Sequence, residues 1–153
     1  VSPRTIDVQR LLDETVEVYA HHEAAQRRFL HVDPLAEPLQ FTNDYNLARR
    51  VVGNMVKNAL EATPVGGTVT LAAARCGDEV QISVHNPQEM PRSVQLQIFQ
   101  RSFSTKGAGR GLGTYSIKLF SERFMHGRVY FTSAPVAGTT FTAAYPVAWS
   151  AAA

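Results

Sequence analysis

"NLARRVVGNMVKNALEAT", residues 46–63, is the stretch on which the fold turns. Leu47, Val51, Val52, Met55, Val56, Ala59 and Leu60 recur at helical spacing and make one broad apolar face. At about 100° per residue, Asn54, Asn58 and Glu61 project along one margin of that face. Asparagine is a mediocre helix former because its side chain competes for the backbone, so two of them in mid-helix ask for a reason. A helix with so wide an apolar face must bury it against a second layer.

The flanking segments supply that layer. "PVGG" (64–67) stops the helix, and "TVTLAAARCGDEVQISVHN" (68–86) reads as a β-hairpin. In it Val69, Leu71 and Ala73 alternate, as do Val80, Ile82 and Val84, around a Gly77–Asp78 turn. A second hairpin, "RVYFTS" and "TTFTAAYP" around "APVAG", covers 128–146. Upstream, "TIDVQRLLDETVEVYAHHEAAQRR" (5–28) carries helical spacing, while "RFLHVD" and "LQFTND" are extended segments around "PLAEP", whose prolines oppose helix. "SVQLQIFQR" (93–101) predicts a short helix, and "TYSIKLFSERFM" (114–125) a longer one stopped at Gly127. Helices interleaved with hairpins predict an α/β fold: a two-layer sandwich with helices on one face of a mixed, mostly antiparallel sheet. The expected domain runs over 1–147, with 148–153, ending in "SAAA", as a disordered tail.

Composition narrows the function. With 153 residues, 44% hydrophobic and 18% charged, the chain suits one globular domain. A net charge of +2 from scattered Lys and Arg gives no basic stripe, which argues against nucleic acid as partner. Cys76 alone cannot form an internal disulfide, and the five histidines share no metal-ligand spacing with it. No apolar run reaches the roughly 20 residues that cross a bilayer. The chain starts at Val1 without Met and reads as an excised piece, leaving room for a membrane segment outside it.

A second unusual stretch is "SFSTKGAGRGLGTYSIK", residues 102–118, with Gly107, Gly109, Gly111 and Gly113 at alternate positions. Alternating glycines let successive N–H groups turn inward as an anion-binding concavity. The helix that starts near Thr114 adds free amides and a partial positive charge, and Lys106 can meet a terminal phosphate. A Gly-rich hinge in a loop is the plain alternative. No Gly-Lys-Ser/Thr follows, so this is not a Walker loop. An amide oxygen at Asn58 is a hard ligand suited to Mg²⁺, which prefers oxygen and shares phosphates. Glycine segment and asparagine pair together favour a magnesium–nucleotide site.

These motifs resemble the ATP-binding catalytic (HATPase) domain of bacterial sensor histidine kinases, in the Bergerat-fold superfamily. "NMVKNALEA" is similar to the N box, "IFQRSFSTK" to the F box, "GAGRGLGT" to the second glycine box and "GTTF" (138–141) to the final box. The resemblance implies that Asn58 binds Mg²⁺ and that Asn54, Asn58 and Lys106 are catalytic. Its nucleotide contacts come from Asn54, Asn58, Glu61, Ala62, Asn86, Phe99, Phe103, Lys106, Gly107, Gly109, Arg110, Gly111, Leu112, Gly113 and Thr139. Phe99 and Phe103 would hold the lid, and Thr139 would lie near adenine. Topoisomerase and chaperone members carry a water-activating Glu where this chain has Asn54, which cannot act as a general base. This favours a kinase over a hydrolase.

Two departures stand. Where the family has an Asp-x-Gly-x-Gly box that meets the adenine amino group, this chain reads "SVHNPQEMP". Asn86 either accepts that bond through its amide oxygen or merely opens a turn with Pro87. The phosphoacceptor is absent too: "HHEAAQ" (21–26) falls in the segment resembling the domain's own first helix, so His21 and His22 read as surface residues. The resemblance therefore implies a two-component sensor kinase using ATP and Mg²⁺, with a dimerisation domain upstream that carries the histidine. A response-regulator receiver domain, a homodimeric full-length protein and a cytoplasmic location, including that of the cytoplasmic part of a membrane-bound sensor, belong to the same picture. An anti-sigma-type serine kinase and a degenerate nucleotide-binding module share the fold and stay open.

Overall fold

The computed structural model describes residues 1–99 and 112–150. β1 (Pro3–Asp7) leads directly into α1 (Val8–Ala20), and Asp7 serves both, its carboxylate accepting from the Arg10 amide at 3.4 Å as the N-cap. The helical spacing of 5–28 is thus divided. Thr5 and Ile6 pair with Thr42 and Phe41 of β3 (Gln40–Asp44), a two-stranded antiparallel ribbon that takes the first residues away from the helix. α1 stops at Ala20, and His22 caps a 3₁₀ turn (Glu23–Ala25) by accepting from the Ala24 amide through Nδ1 at 3.0 Å.

α2 (Tyr45–Ala62) is capped by Asp44, which accepts from the Leu47 amide at 3.0 Å, and it ends where the Thr63 hydroxyl donates back to the Ala59 carbonyl at 2.6 Å. Val51, Val52, Met55, Val56, Ala59 and Leu60 are buried on it, as the spacing predicts. The main sheet has the order β2–β4–β5–β7–β6, built from β2 (Phe29–Val32), β4 (Thr68–Cys76), β5 (Glu79–Asn86), β6 (Arg128–Ala134) and β7 (Gly138–Pro146). Only β2 and β4 run parallel, because α2 lies in the connection between them; the rest is antiparallel, joined by the two expected hairpins. The expected fold class holds.

Register decides which side chains meet the helices. Val80, Ile82 and Val84 pair with Tyr145, Ala143 and Phe141, and the last two pair with Val129 and Phe131. Val69 and Leu71 extend this apolar face, which buries against α1 and α2. Tyr145 stacks on Phe41 (centroids 5.5 Å apart, 11° between planes), so the small ribbon packs against the sheet at the C-terminal end of β7. Burial raises the pKa of the Tyr145 phenol, partly offset by its 2.7 Å hydrogen bond with Ser121.

Two helices differ from their sequence expectation. α3 (Arg92–Gln95) has only four residues, with no side-chain cap at Pro91, and the chain continues in turns to Phe99. α4 (Leu112–Leu119) passes into a π-turn (Phe120–Phe124) that brings Ser121 to Tyr145. Beyond residue 147, Trp149 stacks on His126 at 4.0 Å and 15°, while residues 151–153 lie outside the described ones. Gly127 makes the closest approach behind Tyr145: a β-carbon there would stand 2.4 Å from Tyr145 Cδ1 and 2.6 Å from the Ala144 carbonyl. Gly127→Ala should lower the unfolding free energy by about 1–3 kcal/mol, since a ring locked on Phe41 cannot yield. Urea denaturation would show a lower midpoint at unchanged m.

Candidate functional site

The helix-facing side of the sheet is apolar until its last row. There Asn86 of β5, Thr139 of β7 and Ser133 of β6 pair in register across three strands. Asn86 and Thr139 are each only 3% exposed. The Thr139 hydroxyl donates to the Gln88 carbonyl at 2.7 Å, so in its 2.8 Å bond with Ser133 the proton must come from serine. Ser133 in turn accepts from the Met90 amide at 2.7 Å. The chain Met90 N–H, Ser133 O–H, Thr139 O–H, Gln88 C=O is therefore complete and fastens the loop after β5 onto the sheet. Gly138, at φ +80°, lets β7 approach closely, because a β-carbon there would be 2.3 Å from the Asn86 carbonyl.

α2 packs over β5 and β4. Its C-terminal loop reaches the same end of the sheet, since a β-carbon on Gly67 would lie 3.5 Å from Pro87 Cγ. Asn58, in the last turns of α2, and Asn86 thus stand at one end of two packed layers. Each has a buried Nδ2 with no hydrogen-bond partner among the described residues. Asn43, 0% exposed, is the internal control: its Nδ2 donates to the Met125 carbonyl at 3.0 Å and its Oδ1 accepts from the Asp44 amide at 2.9 Å. A structural buried asparagine in this protein is satisfied at both ends. Leaving an amide unpaired costs about 1–3 kcal/mol, which a ligand would relieve. Tyr45, the first residue of α2, is a different case: its hydroxyl faces the Glu14 carboxylate and helps to hold that carboxyl below its ordinary pKa.

Of the expected site residues, Asn54 and Asn58 are partly buried on α2 and Ala62 is exposed at its end. Glu61 lines an open polar groove on the flank toward the 3₁₀ turn, with His22, Glu23, Arg28 and Lys57. Phe99 sits over Phe131 and edge-on to Phe141, with centroids 5.9 and 6.1 Å away, which seats the Phe99 ring on the sheet against β6 and the strand that carries Thr139. Leu112 and Gly113 open α4, which packs against α2. The asparagine helix and the C-terminal end of the glycine segment are therefore neighbours. Phe103, Lys106, Gly107, Gly109, Arg110 and Gly111 lie outside the described residues. Ser133 and Gln88 escaped the sequence reading, although counting back from Thr139 across the "APVAG" turn would have placed Ser133 opposite it.

Among the described residues there is no group of three or more His, Cys, Asp or Glu that could hold a metal, and no helix is long and apolar enough to cross a membrane. A single amide oxygen, with phosphates supplying the other ligands, is nevertheless a donor set that fits Mg²⁺.

Helices over one face of a mixed sheet, with unpaired carboxamides on both layers, make the frame of the candidate site. Residues 43–148 match the family described as histidine kinase-, DNA gyrase B- and HSP90-like ATPase, and the chain belongs to it. It is 36% identical over 103 residues to the sensor protein DegM of a Bacillus species, covering 67% of this chain and 27% of that protein. To the adaptive-response sensory kinase SasA of Synechococcus elongatus it is 29% identical over 155 residues, covering 96% and 39%. The chain thus spans well under half the length of these relatives. In structure it is similar to the catalytic domain of histidine kinase ThkA, with TM-score 0.85, 21% identity and coverage of 98% and 100%. Full-length ShkA in complex with AMPPNP gives TM-score 0.81, 24% identity and coverage of 98% and 32%. ThkA in complex with the response regulator TrrA gives 0.77, 20%, and coverage of 95% and 42%. The fold is that of histidine kinase catalytic domains.

Thr139→Val keeps the strand propensity but breaks the proton chain to Gln88. Stability should fall by about 1–3 kcal/mol, and the Met90 amide should exchange with solvent faster. Unchanged exchange at Met90 would mean that the loop is held by something other than this chain.

Proposed function

We propose that this domain binds ATP with Mg²⁺ between α2 and the glycine segment and transfers the γ-phosphate to a histidine on a separate domain, as the catalytic part of a two-component sensor histidine kinase. The observation that carries the reading is that Asn58 on α2 and Asn86 on β5, two elements packed on each other, both keep a buried Nδ2 without a partner among the described residues. In this reading Asn58 Oδ1 is the protein's ligand to Mg²⁺, and the metal's contribution is to neutralise phosphate charge. Lys106, Arg110 and the glycines from Gly107 to Gly113 supply the remaining phosphate contacts, with Leu112, Phe99 and Phe103 bounding them. Asn86 and Thr139 mark the base end of the site, while Glu61 and Ala62 border it from α2.

Phosphoryl transfer needs positioning and charge stabilisation more than covalent help from the protein. Asn54 fits that economy. A carboxamide can hold a water but cannot take its proton at neutral pH, so hydrolysis goes uncatalysed and the phosphoryl group is kept for its acceptor. The acceptor lies on a dimerisation domain upstream, the next recipient is a response-regulator receiver domain, and the whole protein is a homodimer with this part in the cytoplasm. The ATP-binding unit is residues 1–147.

The test is calorimetric titration with a non-hydrolysable ATP analogue and Mg²⁺, followed by transfer from ATP to a histidine-bearing dimerisation domain. Saturable binding and acid-labile phosphate on that domain are expected; no binding at millimolar analogue sinks the reading. Asn58→Ala should weaken binding by about 10- to 100-fold when Mg²⁺ is present, a difference that chelation of the metal should erase. Asn54→Glu should still bind ATP and gain slow phosphate release. If ATP is bound and no phosphate appears, Asn54 does not explain the choice between transfer and hydrolysis.

A further inference from the structure

α2 ends without a cation of its own. Its last turn holds no basic residue, although the partial negative charge of a helix C-terminus favours one. Arg28, 35 residues before the C-cap Thr63, supplies it from the segment after the 3₁₀ turn. Its Nε donates to the Thr63 carbonyl at 2.6 Å and its Nη1 to the Gln26 carbonyl at 2.8 Å. One planar guanidinium thus ties the end of α2 to the segment that leads into β2, in a fork that a lysine cannot copy.

The bonds around it make a buckle. The Thr63 amide and hydroxyl turn back to the Leu60 and Ala59 carbonyls, so whatever holds Thr63 holds the last turn of α2. Gly66 donates to the Arg27 carbonyl at 2.7 Å, and Phe29 donates to the Gly67 carbonyl at 3.0 Å, which binds the 64–67 loop to the same segment. Gly67 lies close to Thr63 and Pro87: a β-carbon there would stand 2.5 Å from Thr63 Cγ2 and 3.5 Å from Pro87 Cγ. The buckle therefore fixes the end of α2 against the end of β5. Asn58 adjoins Ala59, whose carbonyl Thr63 holds. Mg²⁺ accepts little departure from octahedral geometry, so a ligand near a helix end depends on how firmly that end is held.

Resting on the nucleotide reading above, we infer that Arg28 is a positioning residue: it sets the place of Asn58, and with it the Mg²⁺-dependent part of ATP binding, without touching the nucleotide.

Calorimetry with a non-hydrolysable ATP analogue, run with Mg²⁺ and with the metal chelated, gives a ratio of two affinities. Arg28→Ala should cut that ratio by about tenfold, the size expected when a metal ligand loses its support. Arg28→Lys keeps the charge but cannot make both bonds, and its ratio should fall between those of Arg28→Ala and the unaltered chain. Arg28 also lines the open groove with Lys57 and Glu61, so guanidinium ion at millimolar concentration has a way in. It should restore the Arg28→Ala ratio and leave the unaltered chain as it was. A merely structural tie predicts a lower denaturation midpoint with the ratio unmoved; that result in either variant overturns the inference, as does a ratio that guanidinium fails to restore. Should Arg28→Ala not fold, the Arg28→Lys ratio decides alone. An unaltered chain that binds no analogue, or binds it equally without metal, defeats the nucleotide reading itself, an outcome distinct from an unmoved ratio in the variants.

Discussion

A polar group taken out of water must find a partner, and this constraint organises what the structure says about function. Asn43 meets it twice over, with bonds to the Met125 carbonyl and the Asp44 amide, and so ties β3 to the turn that follows α4. Asn58 and Asn86 do not meet it. The same residue type, buried in the same domain, appears in a satisfied and an unsatisfied form, and the unsatisfied ones share an end of the molecule. Stability alone would not keep them there.

The fold earns that arrangement by keeping everything else apolar. β5, β7 and β6 present Val, Ile, Phe, Ala and Tyr on one face until the Asn86–Thr139–Ser133 row. α2 covers β5 and β4 with its own broad apolar face, ending at the Thr63 hydroxyl and a loop that returns past Pro87. The loop after β5 is then bound to the hairpin through hydroxyl groups rather than through a helix or strand of its own. A site built this way has a rigid floor and a wall of α-helix, with α4 packed alongside α2.

Under the proposed reading, the carboxamide at Asn54 matters through the protons it cannot take. It cannot act as a general base toward water, which fits phosphoryl transfer to a protein acceptor better than hydrolysis. Asn86 differs from a carboxylate in the same way, carrying a donor as well as an acceptor and no charge.

Much of the fold was legible in the sequence because burial is periodic. The apolar stripe of 46–63 and the alternation of Val80, Ile82 and Val84 could each satisfy only one secondary structure. The stretch 5–28 was misread for the opposite reason: Thr5 and Ile6 fit a helical spacing, but their backbone is claimed by Phe41 and Thr42, a pairing across some 35 residues that no local pattern encodes. The asparagine pair and the alternating glycines were visible as residue types in an odd place, and that sufficed to suggest a nucleotide. What the tertiary structure decided was which polar groups are already spoken for. Hydrogen bonds between Thr139, Gln88, Ser133 and Met90 depend on register and on a turn that doubles the chain back, so only the folded chain leaves Asn58 and Asn86 unpaired.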